Sequence, residues 1–259
     1  MATEKANALV LRLVEFSETS SICHLFTREF GKVRALAKGA RRPKGPFESA
    51  LDLLAQCRIV FLRKSSDALD LLTEAKLDKR FRPAPGEMSA LYAGYYVAEF
   101  LLEMTDDGDA HPELYDAAIT ALASLEQASN TMRVVSRFEL ASLRILGHAP
   151  SLDQCVECGE DLELSPRMHF GQLAGGLLCE HCRHGKKQVV SVSKDVIMAL
   201  RELAAPEGGS GSGDAHAFGH DRRISGELRA LMSRYVANLV GHPLKMHAML
   251  GDGPPPRRE

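Results

Sequence analysis

Apolar and polar positions alternate over short distances in the first part of the chain, residues 7–77. Turn-prone stretches such as SETSS and RRPKGP separate the apolar segments, and this combination predicts β-strands. The predicted strands lie within NALVLRLVEF, SSICHLFTREF, KVRALAKG, LAQCRIVFLRK and ALDLLTEAKL. Five strands over about seventy residues predict a small barrel of the OB type. A five-stranded SH3-like barrel would give the same pattern.

The hydrophobic period changes to that of helices from residue 86 onward. The segment MSALYAGYYVAEFLLEM is apolar on nearly all sides, which predicts a buried helix. Pro112 suits the first turn of a second helix, PELYDAAITALASLEQA. A third helix is expected from Thr131 to Leu146, because Gly147 suits a left-handed C-terminal position and Pro150 prevents continuation.

Two more helices are predicted towards the C-terminal end. Ser193 can cap the first, KDVIMALRELA, and the second runs from roughly Ile224 to Val240. Between them, residues 206–221 are rich in Gly and Ser, which predicts a flexible surface loop. The tail, residues 251–259, is expected to be disordered.

Four of the six cysteines form two Cys-x-x-Cys pairs, Cys155 with Cys158 and Cys179 with Cys182, separated by twenty residues. Paired cysteines at this spacing predict a tetrahedral zinc site with four thiolate ligands. The other two, Cys23 and Cys57, stand alone among apolar residues. We expect them to be small buried side chains in strands.

The segment between the cysteine pairs contains RMHF, GQLAGG and LLC, which predicts a small hairpin. A unit of roughly thirty residues cannot bury enough apolar surface to fold alone, and structural zinc supplies on the order of 10 kcal/mol. Gly159 and Gly185 follow the two pairs, where glycine lets the backbone turn its amides towards sulfur. His169, His181 and His184 lie nearby and are alternative ligands, although four cysteines already complete the shell.

The net charge of −2 hides an uneven distribution. Residues 1–80 contain 15 Lys and Arg against 10 Asp and Glu, whereas the rest of the chain contains 17 against 24. The segment TREFGKVRALAKGARRPKG holds seven cations and one acid, Glu29. We predict that these cations bind nucleic-acid phosphates; they are Arg28, Lys32, Arg34, Lys38, Arg41, Arg42 and Lys44. The alternative is a solvated set of cations that protects a strand edge.

Phe26, Phe30 and Phe47 flank this basic segment. They are candidates for stacking on bases, although a place in the barrel core is the commoner use of such residues. No base-reading helix and no aromatic pair of the RNA-recognition type is visible, so recognition of a specific base sequence is not expected.

The third predicted helix carries a row of arginines. Arg133, Arg137 and Arg144 fall within roughly 40° of one another around the helix axis, with Leu140 on the same face. Such a row with one exposed leucine could hold an acidic, hydrophobic peptide. A water-facing side of a bundle helix is the alternative.

Several segments together resemble the RecO family of bacterial recombinational repair mediators. They are ALVLRLVEFSETSSICHLFTREFGKVRALAKGAR, RFELASLRILGHAPSLDQCVECG, GLLCEHC and GHPLK, and the resemblance covers nearly the whole chain. It implies an N-terminal OB fold at residues 1–80, a helical domain formed by 81–150 and 189–250, and an inserted zinc-ribbon-like module at 151–188. The expected fold class is therefore α+β with several domains.

The resemblance also implies a non-enzymatic function. Proteins of this family bind single- and double-stranded DNA, anneal complementary strands, and work with RecR and the single-strand-binding protein SSB to load RecA onto coated gaps. The acidic, hydrophobic tail of SSB makes the three arginines better candidates for a partner site, and RecF stays open as a further partner. No P-loop of the G-x-x-x-x-G-K-[ST] type is present, so ATP-driven motion is not expected.

Two other classes of function remain open at the level of sequence. One is a zinc-ribbon transcription or translation factor, which would share the cysteines and the basic segment. The other is a zinc hydrolase or a thiol oxidoreductase. The chain has no run of eighteen apolar residues and its N-terminus does not resemble a signal peptide, so the expected compartment is the cytoplasm, in association with the nucleoid.

Overall fold

The computed structural model describes residues 2–42, 45, 47, 50–64, 68–127, 130–205 and 221–250. These residues form two compact units. The first contains the described residues up to Gln127 together with 248–250, and the second contains those from Asn130 to His247. The predicted flexible loop, apart from Asp221, and the predicted tail lie outside the described residues.

The first unit begins with a closed barrel of five strands in the order β1-β2-β3-β5-β4. The long strand β1 closes the barrel because it pairs with β4 through residues 2–9 and with β2 through residues 8–15. A bulge between Val10 and Arg12 separates these two halves. The strands are β1 (Ala2–Glu15), β2 (Ser21–Thr27), β3 (Gly31–Ala37), β4 (Gln56–Arg63) and β5 (Asp70–Lys79). The prediction of five N-terminal strands is confirmed.

Alternation of side chains fills the barrel interior. In β3 every second residue is buried, from Gly31 to Ala37, because successive side chains point to opposite faces of a strand. Cys23 and Cys57 belong to this core, as predicted. Burial raises the pKa of each thiol to about 12, so both are inert neutral side chains at physiological pH.

Two helices complete the first unit, α1 (Met88–Met104) and α2 (Pro112–Leu125). Helix α1 buries residues on most of its circumference, as its continuous apolar sequence predicts. Helix α2 begins at Pro112, where the missing proline N–H costs no hydrogen bond. Tyr115 of α2 stacks on Phe26 of β2 with ring centroids 6.4 Å apart, which anchors this helix on the barrel.

The second unit contains three helices and a small sheet. The helices are α3 (Thr131–Ile145), α4 (Lys194–Ala204) and α5 (Arg222–Val240). A short 3-10 helix (Lys245–Met249) follows, and the second unit ends within it, at His247. Strands β6 (Arg167–Gly171), β7 (Gly176–Leu178) and β8 (Val189–Ser193) pair in the order β7-β6-β8. The predicted hairpin is β6 with β7, and β8 is a third strand that the sequence analysis did not anticipate.

Ser193 occupies the N-cap position of α4 but does not cap it with its side chain. Its hydroxyl donates to Glu227 of α5 at 2.7 Å, and the same carboxylate accepts from the Ser193 amide at 2.9 Å. The expected cap is therefore wrong in its bonding: the hydroxyl donates to this carboxylate and accepts no hydrogen bond from an amide of the first turn of α4. The contact joins β8, α4 and α5 at one point.

The described residues thus form a mixed α+β fold with a five-stranded N-terminal sheet, five α-helices and a cluster of four cysteines. Among them, no helix is both long and apolar enough to cross a membrane. The finer boundaries expected from sequence, at residues 80, 150 and 188, stay predictions.

Candidate metal centre and nucleic-acid interface

The four paired cysteines come together in the second unit. The Sγ atoms of Cys155, Cys158, Cys179 and Cys182 all lie within 4.8 Å of one another. Four sulfurs at about 2.3 Å from one zinc ion would be about 3.8 Å apart, and the Cys158 and Cys179 sulfurs are separated by 3.9 Å. The cluster could therefore hold a tetrahedral metal ion.

Two tight turns present these thiols. In the first, the amide of Gly159 donates to the Cys155 carbonyl at 2.8 Å, and Gly159 has a φ of +74° that favours glycine. In the second, Arg183 donates its amide to the Cys179 carbonyl at 3.1 Å. The first turn is attached to the sheet by the amide of Val156, which donates to Leu177 of β7 at 2.9 Å.

Backbone amides also point at the sulfurs. The Cys179 amide lies 3.4 Å from the Cys155 sulfur, and the Cys182 amide lies 3.3 Å from the Cys179 sulfur. Burial alone would raise the pKa of Cys155, but amide donors at Cys158, Cys179 and Glu157 lower it to about 6. These amides favour the thiolate of Cys155, and a thiolate is the form that binds a metal.

The three nearby histidines do not join the cluster. Among the described residues, the group with metal-binding geometry consists of the four cysteines. His169 lies 3.0 Å from the Glu180 carboxylate, and His181 and His184 are exposed. Four thiols complete a tetrahedral shell, which is typical of a structural site rather than a catalytic one.

Most of the predicted phosphate-binding cations have partners within the first unit. Arg28 forms a two-pronged pair with Asp116 of α2 at 2.9 Å. Arg34 pairs with Asp107 at 2.5 Å, and Arg41 pairs with Glu15 at 3.0 Å. These side chains are still 41–47% exposed, so the pairs are partly solvated and an incoming phosphate can compete for them.

Lys32 is placed differently from the others. Its side chain is only 13% exposed, and its ammonium donates to the carbonyls of Leu102 at 2.8 Å and Thr105 at 2.6 Å. These carbonyls belong to the end of α1, where a cation stabilises the helix dipole and its unpaired acceptors. The structure therefore gives Lys32 a role inside the fold.

Lys38 and Arg42 are exposed in the turn after β3. Within the described part of the chain, neither forms an ion pair. Strand β3 ends at Ala37, so Lys38 lies just beyond the strand that carries Lys32 and Arg34. Lys44 lies outside the described residues.

A row of two arginines and a histidine crosses strands β1, β2 and β3, and sequence reasoning missed two of its members. Arg12 is the cross-strand partner of His24, and His24 is the partner of Arg34. The pKa of His24 is lowered by burial and by the charges of Arg12 and Arg34. The alternation of residues along a strand could have predicted that Arg12 and His24 face outward from the barrel. Only the register between β1 and β2 shows that they are neighbours.

The three candidate stacking residues are part of the barrel packing. Phe26 and Phe47 are buried, and Phe30 packs edge-on against Phe61 with centroids 5.6 Å apart. Stacking of bases on Phe26 or Phe47 is therefore contradicted, because the inward positions of a closed barrel need large side chains to fill them.

The arginine row on α3 is partly engaged. Arg133 donates to Glu202 of α4 at 2.8 Å, whereas Arg144 is exposed. The expectation of an exposed leucine between them is wrong, because Leu140 is 3% exposed. It belongs to a buried stripe with Ser136 and Leu143, which lie one turn away on either side.

Taken together, these features define a protein with a closed barrel, a partly free cationic turn and a four-thiol cluster able to hold a metal. Two family models cover it, Recombination protein O N terminal over residues 1–81 and Recombination protein O C terminal over residues 85–247. The chain belongs to the RecO family.

Curated relatives agree with this assignment. The chain is 42% identical over 264 residues to the DNA repair protein RecO of Rhodopirellula baltica, covering 95% of this chain and 98% of the relative. It is 31% identical to the DNA repair protein RecO of Anaeromyxobacter dehalogenans, covering 79% and 80%. It is 29% identical to that of Symbiobacterium thermophilum, covering 93% and 92%.

Proposed function

We propose that this protein is a non-enzymatic recombination mediator in DNA repair. It binds single- and double-stranded DNA without sequence preference, anneals complementary strands, and helps RecR load RecA onto SSB-coated single strands. The observation that carries the proposal is the exposed turn of Lys38 and Arg42 at the end of a closed five-stranded barrel. Membership of a family of DNA repair proteins supports it.

We assign the barrel to the OB class. Barrels of this class bind oligonucleotides on the face of their second and third strands and with the loops after the first and fourth strands. Here the loop after β1 is bonded to the cationic turn, since the Arg41 amide donates to Thr19 at 3.0 Å. The OB assignment therefore predicts that DNA contacts the loop after β1, the cationic turn, and the row of Arg12, His24 and Arg34.

The cations of this turn suit a protein that binds the sugar-phosphate backbone of DNA. Cations on a turn neutralise phosphates and carry no information about base sequence. Screening of phosphate charge lowers the repulsion between two strands while their bases stay free to pair, which promotes annealing. Arg28, Arg34 and Arg41 contribute by exchanging a carboxylate for a phosphate when DNA arrives.

We assign one structural Zn²⁺ to Cys155, Cys158, Cys179 and Cys182. The ion would hold the two turns together and would supply folding free energy to the sheet β7-β6-β8. With four thiol ligands no coordination position stays open for a substrate, which argues for a non-enzymatic protein. The finer division into a barrel at 1–80, helical parts at 81–150 and 189–250, and a zinc-ribbon-like module at 151–188 belongs to the same proposal.

The partner site for the SSB tail is proposed on α3. An acidic, hydrophobic tail would contact Arg144, which is exposed, and the neighbouring Arg137 and Arg133 belong to the same proposed site. Glu202 already binds Arg133, so the tail would have to compete for that side chain. RecR and, in the same pathway, RecA and RecF complete the proposed set of partners. The cytoplasm, with the nucleoid, is the compartment in which these partners and DNA meet.

Equilibrium DNA binding as a function of salt tests the central claim. The double variant Lys38→Ala with Arg42→Ala should weaken binding to both DNA forms. It should also reduce the salt slope on single strands by about 1.4, which corresponds to two lost phosphate contacts. The matched control is Lys5→Ala with Lys76→Ala, two exposed cations on β1 and β5, which should leave the slope unchanged. Equal slopes in the two double variants would overturn the proposed interface.

Annealing of complementary strands pre-coated with SSB tests the mediator function. The protein should accelerate annealing, and the Lys38→Ala, Arg42→Ala double variant should lose most of this effect. Competition by unrelated oligonucleotides separates the mediator from a zinc-ribbon transcription or translation factor. A mediator is displaced equally well by every sequence, whereas sequence-dependent displacement would favour the factor.

A further inference from the structure

The loop between β1 and β2, residues 16–20, carries an unusually exposed aromatic ring. Phe16 is 60% exposed, more than any other large apolar side chain in the described part of the chain. Its amide donates to the Ser20 carbonyl at 3.0 Å, so the loop is a closed turn. A phenylalanine ring this exposed contributes little to folding and exposes apolar area to water.

This loop is held against the cationic turn by three hydrogen bonds. The Arg41 amide donates to Thr19 at 3.0 Å, and the Arg41 guanidinium donates to the Ser17 carbonyl at 3.4 Å. The Gly39 amide donates to the Ser20 hydroxyl at 3.4 Å. Because of these bonds, the exposed ring and the cations Lys38 and Arg42 belong to one surface.

Apolar groups continue this surface on the barrel. Val14 of β1, Ile22 of β2 and Leu36 of β3 are successive cross-strand partners and are half-buried. Surfaces that bind single-stranded nucleic acids combine aromatic rings, aliphatic side chains and cations. Bases stack on the apolar groups, and phosphates bind to the positive charges.

We infer that Phe16 is a stacking platform for a base of single-stranded DNA, with Lys38 and Arg42 on the neighbouring phosphates. The inference rests on the proposed function and extends it to Phe16, which lies outside the basic segment TREFGKVRALAKGARRPKG. It commits to DNA as the occupant because the loop of Phe16 is bonded to the turn of Lys38 and Arg42, two cations that form no ion pair within the described part of the chain. In duplex DNA the base faces are covered by their neighbours, so Phe16 serves only the single-stranded form.

Fluorescence can report this contact directly, because the chain contains no tryptophan. A Phe16→Trp variant would carry the single indole of the protein, and binding of an oligo-dT strand should quench its emission. Leu173→Trp is the matched control, since Leu173 is 58% exposed and belongs to the second unit. Its emission should stay unchanged on addition of the same strand.

Affinity measurements give an independent readout. Phe16→Ala should weaken oligo-dT binding about tenfold, which is the typical effect of losing one stacked base. Duplex affinity and the salt slope should not change, because no phosphate contact is lost. Phe16→Tyr should retain wild-type affinity, whereas Phe16→Leu, which keeps apolar area without a ring, should resemble Phe16→Ala. Thermal unfolding of each variant verifies that the barrel is intact.

The outcomes separate this inference from the function on which it rests. If the wild-type protein binds neither DNA form at low salt, the proposed function fails. If it binds both forms while Phe16→Ala keeps full affinity for oligo-dT and the Phe16→Trp emission is not quenched, DNA binding stands and the stacking role is overturned. Quenching by an acidic peptide in place of oligo-dT would also overturn it, in favour of a protein partner.

Discussion

Cations of the same type have different roles within one short segment of this protein. Lys32 and Lys38 are six positions apart, yet Lys32 is 13% exposed and caps the end of α1 while Lys38 is exposed in a turn. The difference arises because the carbonyls of Leu102 and Thr105 lie within hydrogen-bonding distance of the Lys32 ammonium. Charge counted along the sequence therefore overstates the number of cations that can meet a phosphate.

A pair of lysine variants separates these two roles. Lys32→Met keeps the aliphatic stem but leaves two acceptors at the end of α1 without a donor, so the free energy of unfolding should fall by about 1–3 kcal/mol. Lys38→Met should change it by less than about 0.5 kcal/mol, as is usual for exposed positions. Urea unfolding measures both.

DNA affinity should show the reverse order for the same pair. Lys38→Met should weaken binding more than Lys32→Met, because only Lys38 offers its charge to a phosphate. A stable Lys32→Met protein with a large loss of DNA affinity would contradict the role assigned here to Lys32.

At the scale of elements, the connection between α1 and α2 is fitted closely to the barrel. The Gly108 amide donates to the Lys32 carbonyl at 2.9 Å, and Arg34 and Arg28 pair with Asp107 and Asp116. Gly31 makes this approach possible. It has a φ of +67°, and a Cβ atom there would lie 1.8 Å from the Asp109 carbonyl oxygen.

Substitution of this glycine should disrupt the contact between barrel and helices. Gly31→Ala should cost about 1–2 kcal/mol because alanine disfavours a left-handed backbone. Its Cβ atom would also clash with the Asp109 carbonyl, which is backbone and cannot rotate away as a side chain could. The free energy of unfolding should therefore fall by more than about 3 kcal/mol. Gly86→Ala is the control, because Gly86 has a φ of +89° and open space around its Cβ position. It should cost only the backbone penalty, and equal losses in the two variants would refute the close fit.

The sequence predicted the elements of this fold better than their contacts. Five strands, the start of α2 at Pro112 and the end of α3 before Gly147 follow from local patterns. Strand β8 was missed because VVSVS is short and half-buried, and its identity as a strand depends on pairing with β6. Leu140 was misplaced because it falls on the same predicted face as three arginines, whereas tertiary packing decides which residues of α3 are buried.

The two candidate sites also differ in how far local sequence predicts them. The cysteine cluster could be predicted from spacing, since ligands of one metal occur in short, recognisable pairs. The proposed DNA interface could be predicted only as a charged segment. Which cations are engaged by Asp107, Asp116 and Glu15 depends on residues distant in the chain, and no local pattern contains that information.

At the scale of the whole molecule, the two units differ in what stabilises them. The barrel has a continuous apolar core, whereas the sheet β7-β6-β8 buries few side chains. They are Met168, Phe170, Leu177, Leu178 and Val192. The sheet gains support from α5, where Phe170 packs edge-on against Tyr235 at 5.8 Å and Gln172 donates to the Leu231 carbonyl at 3.3 Å. With this limited packing, the cysteine turns would depend on the proposed metal for their stability.

Loss of the metal should therefore loosen the second unit and leave the barrel intact. Cys179→Ser should abolish zinc content by elemental analysis, since three thiols no longer complete the tetrahedral shell. Amide hydrogen exchange should accelerate in β6 and β7, because the metal's contribution to folding is lost there, while β1 to β5 keep their protection. Cys57→Ala is the matched control: it removes a buried sulfur from the barrel core and should lower barrel stability by about 1 kcal/mol with zinc content unchanged. Full zinc in Cys179→Ser, or four freely titratable thiols in the purified wild-type protein before chelation, would show that the cluster is not a metal site.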